Sequence, residues 1–181
     1  DFKGCLTTAE VTITEPTAVI VDIIIDNNVN CNGGNDAQAT ATASGGTPDI
    51  LGNYIYQWSA NAGSVNSPTA MSLPTGTYTI TVTDGNGCTG INSVEIVEPN
   101  ALALTVTNDM NVSCNGGNDG AATATPSGGT PDLNGNYTYE WSASAGGFVT
   151  PTVTTLPAGT HTVTVTDDNG CTITGSVDIS E

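Results

Sequence analysis

The sequence predicts an all-β chain of tandem immunoglobulin-like antiparallel β-sandwich repeats arranged end to end, and three observations predict it. Apolar and hydroxyl residues alternate through stretch after stretch, the period-two mark of strands with one buried face. Gly, Asn, Asp and Pro cluster between those stretches, where tight reversals need them. The whole pattern then returns at a fixed interval. Cys5, Cys88 and Cys171 are 83 residues apart (88 − 5, 171 − 88), as are Cys31 and Cys114, Trp58 and Trp141, and the Glu-Pro prolines Pro16 and Pro99. The 181 residues therefore read as 1–15, the C-terminal strand of a preceding repeat, then 16–98 and 99–181, two complete repeats. A chain opening inside one repeat is read as a segment of a longer array, in which each repeat leans on its neighbours.

Glu15-Pro16 and Glu98-Pro99 open each repeat with a stiff, extended junction. The first strand is expected over about 18–26. Its second copy sets the polarity, because Leu102, Leu104 and Val106 answer Val19, Val21 and Ile23, which therefore face inward. After the loop that holds Cys31-Asn32-Gly33-Gly34, residues 36–44 alternate Ala37, Ala39, Ala41 and Ala43 with Gln38, Thr40 and Thr42, a strand with small inward side chains. A loop through Gly45-Gly46-Thr47-Pro48 leads to the aromatic strand 54–59, with Tyr54, Tyr56 and Trp58 on one face. Residues 60–73 have room for two short strands. Gly76–Cys88 supplies the clearest strand and turn: Tyr78, Ile80 and Val82 alternate with threonines before Asp84-Gly85-Asn86-Gly87 reverses the chain. It recurs at Gly159–Cys171, with His161 replacing Tyr78. Residues 89–97 close the repeat with Val94 and Ile96 inside. A Trp on the third strand and a Tyr opening the penultimate one, after a corner, fit the immunoglobulin-like arrangement.

A repeat of this size buries a modest core and needs a staple or a neighbour. Five cysteines in register, without C-x-x-C spacing and beside a single His, point to disulfides in an oxidising compartment and away from zinc. The net charge of −17 with one basic residue, Lys3, leaves nothing to neutralise phosphates, so nucleic acid and anionic membranes are excluded as partners. Direct membrane insertion is excluded too, since the longest apolar run, 18–25, is interrupted by Asp22. Catalysis is poorly provisioned. There is no Arg, His161 has no counterpart in the other copy, and Lys3 lies outside both complete repeats, so no repeated triad or phosphate site assembles. The same shortage removes Lys-Asn isopeptide bonds, and residues 4–181 contain no trypsin site.

Several motifs occur twice in fixed order: Cys31-Asn32-Gly33-Gly34-Asn35-Asp36, Ser44-Gly45-Gly46-Thr47-Pro48, Tyr54-Ile55-Tyr56-Gln57-Trp58-Ser59, Leu156-Pro157-Ala158-Gly159-Thr160 and Thr166-Asp167-Asp168-Asn169-Gly170-Cys171-Thr172, closed by Glu98-Pro99. With them the chain resembles tandem SprB-type repeats of very large surface proteins of gliding and related Bacteroidota. That resemblance implies export by the type IX secretion system and a cell-surface, extracellular filament or adhesin. It carries over no catalytic or ligand-binding residue. His161 and the loop 49–53 depart from the usual pattern.

The expected function is a non-enzymatic structural segment of an extracellular fibre or adhesin stalk. The alternative is a glycan-binding module using exposed loops such as 44–53. Its partners are neighbouring repeats of the same chain, a surface polysaccharide, or identical chains in a filament. Tyr56, Trp58, Tyr139 and Trp141 are assigned to the core, with a sugar-stacking platform as the competing role. Asp26, Asp36, Asp84 and Asp167 supply hard oxygens, making calcium a candidate cofactor against the alternative of turn chemistry; none has EF-hand spacing. In the inferred strand order, Cys31 lies at the pole nearest the following repeat and Cys88 at the opposite pole. A strand of about six residues separates the poles by ~20 Å, whereas disulfide Cα atoms approach to ~4.4 to 6.8 Å. This favours a staggered bond from Cys31 to Cys171, with Cys5, Cys88 and Cys114 awaiting partners in further repeats. Pairing within repeats, Cys31 to Cys88 and Cys114 to Cys171, stays open because the strand order is inferred.

Overall fold

The computed structural model describes residues 8–181. Cys5 and the start of the tail 1–15 lie outside them. Six strands follow in the first copy: β1 (Ile20–Asn27), β2 (Ala37–Ser44), β3 (Ile55–Trp58), β4 (Thr69–Leu73), β5 (Gly76–Thr83) and β6 (Thr89–Ile96). The second copy repeats them as β7 (Ala103–Met110), β8 (Gly120–Ser127), β9 (Thr138–Trp141), β10 (Thr152–Leu156), β11 (Gly159–Thr166) and β12 (Thr172–Ile179). Each copy forms two three-stranded sheets, in the orders β1-β2-β4 and β3-β5-β6, then β10-β8-β7 and β12-β11-β9. The first, second and fourth strands thus form one sheet and the third, fifth and sixth the other, the immunoglobulin-like division. β3 and β5, β7 and β8, β8 and β10, β9 and β11, and β11 and β12 pair antiparallel, with Val163 opposite Trp141 and Val106 opposite Ala124.

By contacts the chain divides into two units. One holds Thr40–Ala70 and Tyr78–Val94 with the described chain up to Ile24. The other holds Ile25–Ala39, Met71–Thr77 and Glu95–Glu181. In the second, Ala122, Ala124, Trp141, Val153, Leu156, Val163, Val165 and Ile179 bury one another. Alternation explains the set: the β11 valines face in and its threonines face out. The alanines of β8 leave room for the Trp141 indole, whose Nε1–H donates to the Thr150 carbonyl at 2.9 Å. In the first unit Trp58, Tyr78, Ile80 and Val82 are buried in the same way, and Trp58 Nε1–H donates to the Ser67 carbonyl at 3.1 Å.

Two expectations need correction. Tyr56 and Tyr139 are half-buried at the margin of the core rather than inside it, with Tyr139 packed against the buried cluster of the second unit. They stand on β3 and β9, which have a strand partner on one side only, so the rings keep an edge in water. Partial burial raises the Tyr139 phenol above its ordinary pKa, with the neighbouring Tyr137 adding to the effect. Residues 60–73 hold one strand, not two. Ala60–Ala62 winds into a single 3-10 turn ended by Gly63 in the left-handed region (φ +81°), and the Trp58 N–H leaves the strand pattern to reach the Val65 carbonyl at 3.0 Å.

His161 is 1% exposed where the first copy has Tyr78. Its Nε2 lies 2.9 Å from the Pro157 carbonyl, which can only accept, so Nε2 carries the hydrogen and Nδ1 is left to meet the Ser144 hydroxyl at 3.4 Å. The ring thereby pins the corner before β11 by a polar bond, as a corner tyrosine does.

Replacing Trp141 by Ala should destabilise the chain by about 3–5 kcal/mol, the usual cost of emptying a large buried aromatic site. Urea unfolding followed by circular dichroism measures it.

Candidate functional site

The turns after β5 and β11 are built around a buried aspartate. Asp84, 3% exposed, points inward from the end of β5. Its Oδ2 accepts the Thr47 N–H at 2.8 Å, while Oδ1 accepts the N–H groups of Asn86 at 3.0 Å and Cys88 at 2.8 Å. Asp167 repeats this with Thr130 N–H and Cys171 N–H, both at 2.8 Å. Return bonds close each clasp: Gly85 N–H to the Thr47 carbonyl and Asp168 N–H to the Thr130 carbonyl, both at 2.8 Å. Each carboxylate therefore ties its turn to a loop 37 residues earlier in the chain. The Gly-Gly of that loop is required by proximity. A Cβ on Gly46 would stand 2.7 Å from Asp84 Oδ2, one on Gly129 would stand 2.6 Å from Asp167 Oδ2, and both glycines have positive φ.

Hydrogen bonds from backbone N–H groups favour the charged carboxylate. The Thr47 N–H, chief among the donors, holds Asp84 below its ordinary pKa of 3.8 against the opposing effect of burial. Asp119 is lowered by the Ser113 hydroxyl and N–H. Asp49 and Asp132 are lowered chiefly by the N–H of Asn53 and of Asn136 respectively, each closing a small loop.

The turn held by Asp167 presents Cys171, which is bonded to Cys31 with a Cα–Cα distance of 5.7 Å. Both residues lie in the second unit. The Cys31 side is itself a bonded cradle. Asp36 Oδ1 accepts the Asn30 N–H at 3.1 Å, Gly34 N–H reaches the Cys31 carbonyl at 2.8 Å, and Gly33 N–H donates to Glu98 Oε2 at 2.6 Å. Asn32 Nδ2 donates to the Pro99 carbonyl at 3.1 Å. From the other side, Asn169 Nδ2 donates to the Asn30 carbonyl at 2.9 Å. The Cys171 sulfur also approaches that oxygen, to 3.5 Å, and as a disulfide sulfur has no hydrogen to give. The bonds Cys31 to Cys88 and Cys114 to Cys171 are not formed, and Cys88 and Cys114 are exposed thiols.

The four candidate calcium ligands are not brought together. Asp84 and Asp167 direct their oxygens to backbone N–H groups, Asp36 closes the Cys31 cradle, and Asp26 accepts Gln38 Nε2 at 3.0 Å. Among the described residues no three His, Cys, Asp or Glu side chains form a metal-holding group. The loop proposed for glycans does meet an open groove of about 740 Å³ in the first unit, lined by Asn53, Tyr54, Ile55, Tyr56, Gln57 and Asn66 among others. In the second copy the counterparts of Ile55, Gln57 and Asn66 are Thr138, Glu140 and Val149.

Fold and site together define a tandem β-sandwich repeat protein whose two copies carry the same aspartate clasp, with a disulfide joining a cysteine of each copy. The family model of the SprB repeat matches residues 26–63 and again residues 106–146. These stretches contain Cys31 and Trp58 in one copy and Cys114 and Trp141 in the other, in agreement with the motifs read from the sequence. No curated protein matches the chain. Among solved structures, a C-terminal 282-residue fragment of intimin, in complex with the intimin-binding domain of the translocated intimin receptor, is similar at 14% identity and a TM-score of 0.43. The similarity covers 93% of this chain, which spans 65% of that fragment.

Replacing Asp84 by Ala should lower the melting temperature and speed amide exchange at Thr47 and Cys88 ahead of the rest of the first unit, because those N–H groups lose their acceptor. The lowered carboxylates also set a pH dependence. Their folded pKa values lie below 3.8, so their stabilisation is complete above 3.8 and disappears as pH falls through the lower folded values. Melting temperatures recorded from pH 7 to pH 2 should hold level to about pH 4.5 and then fall.

Proposed function

We propose that the chain is a non-enzymatic structural segment of an extracellular fibre or adhesin stalk, displayed at the cell surface and organised as repeats 16–98 and 99–181. The observation that carries this reading is the bond between Cys31 and Cys171, separated by 140 residues. It ties a cysteine of one copy to a cysteine of the next, which is useful to a protein that must bear load. The match to the SprB repeat supports the surface role. The non-enzymatic part of the reading draws on the buried aspartates, which direct their oxygens to the protein's own backbone. Partners under this reading are the neighbouring repeats and, in a filament, identical chains. Export by the type IX system and a part in gliding belong to the same proposal.

The mechanical role has a direct test. Pulled from its ends in a single-molecule force experiment, the oxidised chain should withhold the segment between Cys31 and Cys171, 140 residues at about 3.4 Å each or roughly 480 Å of contour. Reductant should release it. A contour length that does not change with reductant rejects the load-bearing role.

The first-copy groove favours a second reading, binding of a surface polysaccharide. Tyr54 and Tyr56 offer ring edges beside the carboxamides of Asn53, Gln57 and Asn66, an uncharged set suited to sugar hydroxyls. Under that reading, calorimetric titration with neutral bacterial polysaccharides gives saturable binding that Tyr56→Ala abolishes while the fold persists.

A further inference from the structure

The exposed thiol of Cys114 sits in a cradle that duplicates the one around Cys31. Ser113 N–H donates to Asp119 Oδ1 at 3.0 Å, as Asn30 N–H does to Asp36. Gly117 N–H reaches the Cys114 carbonyl at 2.8 Å, as Gly34 N–H reaches that of Cys31. Gly116 N–H donates to Glu181 Oε2 at 3.1 Å, as Gly33 N–H does to Glu98. Val112 N–H bonds the Ser180 carbonyl at 3.0 Å where Val29 N–H bonds that of Val97 at 3.2 Å. Thus the geometry that holds Cys31 in its bond is already assembled around an unbonded cysteine.

The contact that brings the partner to Cys31 is independent of side-chain identity on the accepting side. Asn169 donates its amide to the backbone carbonyl of Asn30, so Ser113 at the matching position keeps the same acceptor. On the donating side, Asn86-Gly87-Cys88 reproduces Asn169-Gly170-Cys171, and Asp84 holds it by the same carboxylate bonds that Asp167 makes. Among the described residues, acceptor and donor halves of the bond are therefore each present once bonded and once free.

We propose that Cys114 is a preformed acceptor for a second inter-repeat disulfide, whose donor is the Asn-Gly-Cys turn of another SprB-type repeat, selected by that turn's asparagine amide docking on the Ser113 carbonyl. Cys88 is the corresponding free donor, and Asn86 and Asn169 are positioning residues for bond formation. The chemistry is thiol–disulfide exchange with glutathione disulfide or an oxidised dithiol protein as oxidant. One thiolate attacks the oxidant, forming a mixed disulfide and releasing one reduced thiol. The second thiolate displaces the other, leaving a Cys–Cys bond and two reduced thiols, with two protons and two electrons accounted for. The inference rests on the repeat-stalk reading above, but connectivity and surface display are measured separately, so either can fail alone.

The test extends the chain by a further copy of residues 99–181 placed after Glu181, oxidised in a glutathione buffer and mapped with pepsin without reduction, since trypsin has no site in residues 4–181. Cys114 should be bridged to the appended copy's counterpart of Cys171, with Cys31 still bonded to Cys171. A Cys114 that stays free, carries glutathione or displaces Cys31 from Cys171 overturns the proposal. The 181-residue chain carrying Cys5→Ser supplies a reading that does not depend on the extension folding: disulfide-linked dimers should join Cys114 of one copy to Cys88 of another, and predominantly like-to-like dimers overturn it. Asn169→Ala should lower the equilibrium constant of the existing bond against glutathione about fivefold, the worth of one hydrogen bond. Asn169→Asp keeps the shape but sets a carboxylate oxygen against the Asn30 carbonyl in place of the donating amide, and should fall at least as far. Unchanged constants in both variants overturn the positioning role.

Discussion

Everything near the sulfur chemistry depends on a carboxylate that never meets solvent in force. Asp84 and Asp167 each accept backbone N–H groups from their own turn and from a loop 37 residues upstream. A buried charge without such donors would be severely disfavoured, whereas one surrounded by fixed N–H dipoles becomes an organising centre. The turn cannot drift without leaving those donors unpaired. That rigidity allows Cys171 and Asn169 to arrive together at the Cys31 cradle, and it explains why Gly46 and Gly129 have no side chain.

The sandwich around this centre uses light materials. Alanines on β2 and β8 and alternating threonines on β5 and β11 produce thin sheets in which one indole per copy supplies much of the buried volume. Short strands of this kind bury little each, so the hydrogen-bonded loops between them contribute to order as well as the core does. The Tyr54 and Tyr137 hydroxyls show this division of labour, with rings against the sheet and oxygens donating to the Gly45 and Gly128 carbonyls at 2.7 and 2.8 Å.

Much of the fold was legible in the sequence because side-chain alternation is a local signal. Val21, Ala39, Trp58, Ile80 and Ile96 fall inside where the pattern placed them, and the 83-residue recurrence let one copy check the other. What escaped was set by partners far away in the chain. Asp84 looked like a turn residue or a calcium ligand, and its role appears only when Thr47 folds back onto it. The two adjacent glycines of the 44–48 motif were the available clue, since that doubling marks a close approach. Tyr56 was misplaced because alternation gives the face of a strand and not whether the strand stands at an edge. The path of residues 60–68 was hidden because the Trp58 N–H turns to a loop carbonyl instead of a ladder.

The sulfur bond has a consequence for how such a protein is made. A polypeptide emerging from its N-terminus presents Cys31 and then Cys88 before Cys171 exists, so the correct partner is the later of the two to be synthesised. An oxidant acting on the nascent chain would meet the wrong pair first. Faithful pairing therefore relies on thiols kept reduced until Cys171 has been made, on repeated exchange, or on a first copy that folds before oxidation and so holds Cys31 out of reach of Cys88. The order of residues in the chain, as well as the strength of the oxidant, thereby bears on which cysteines meet first.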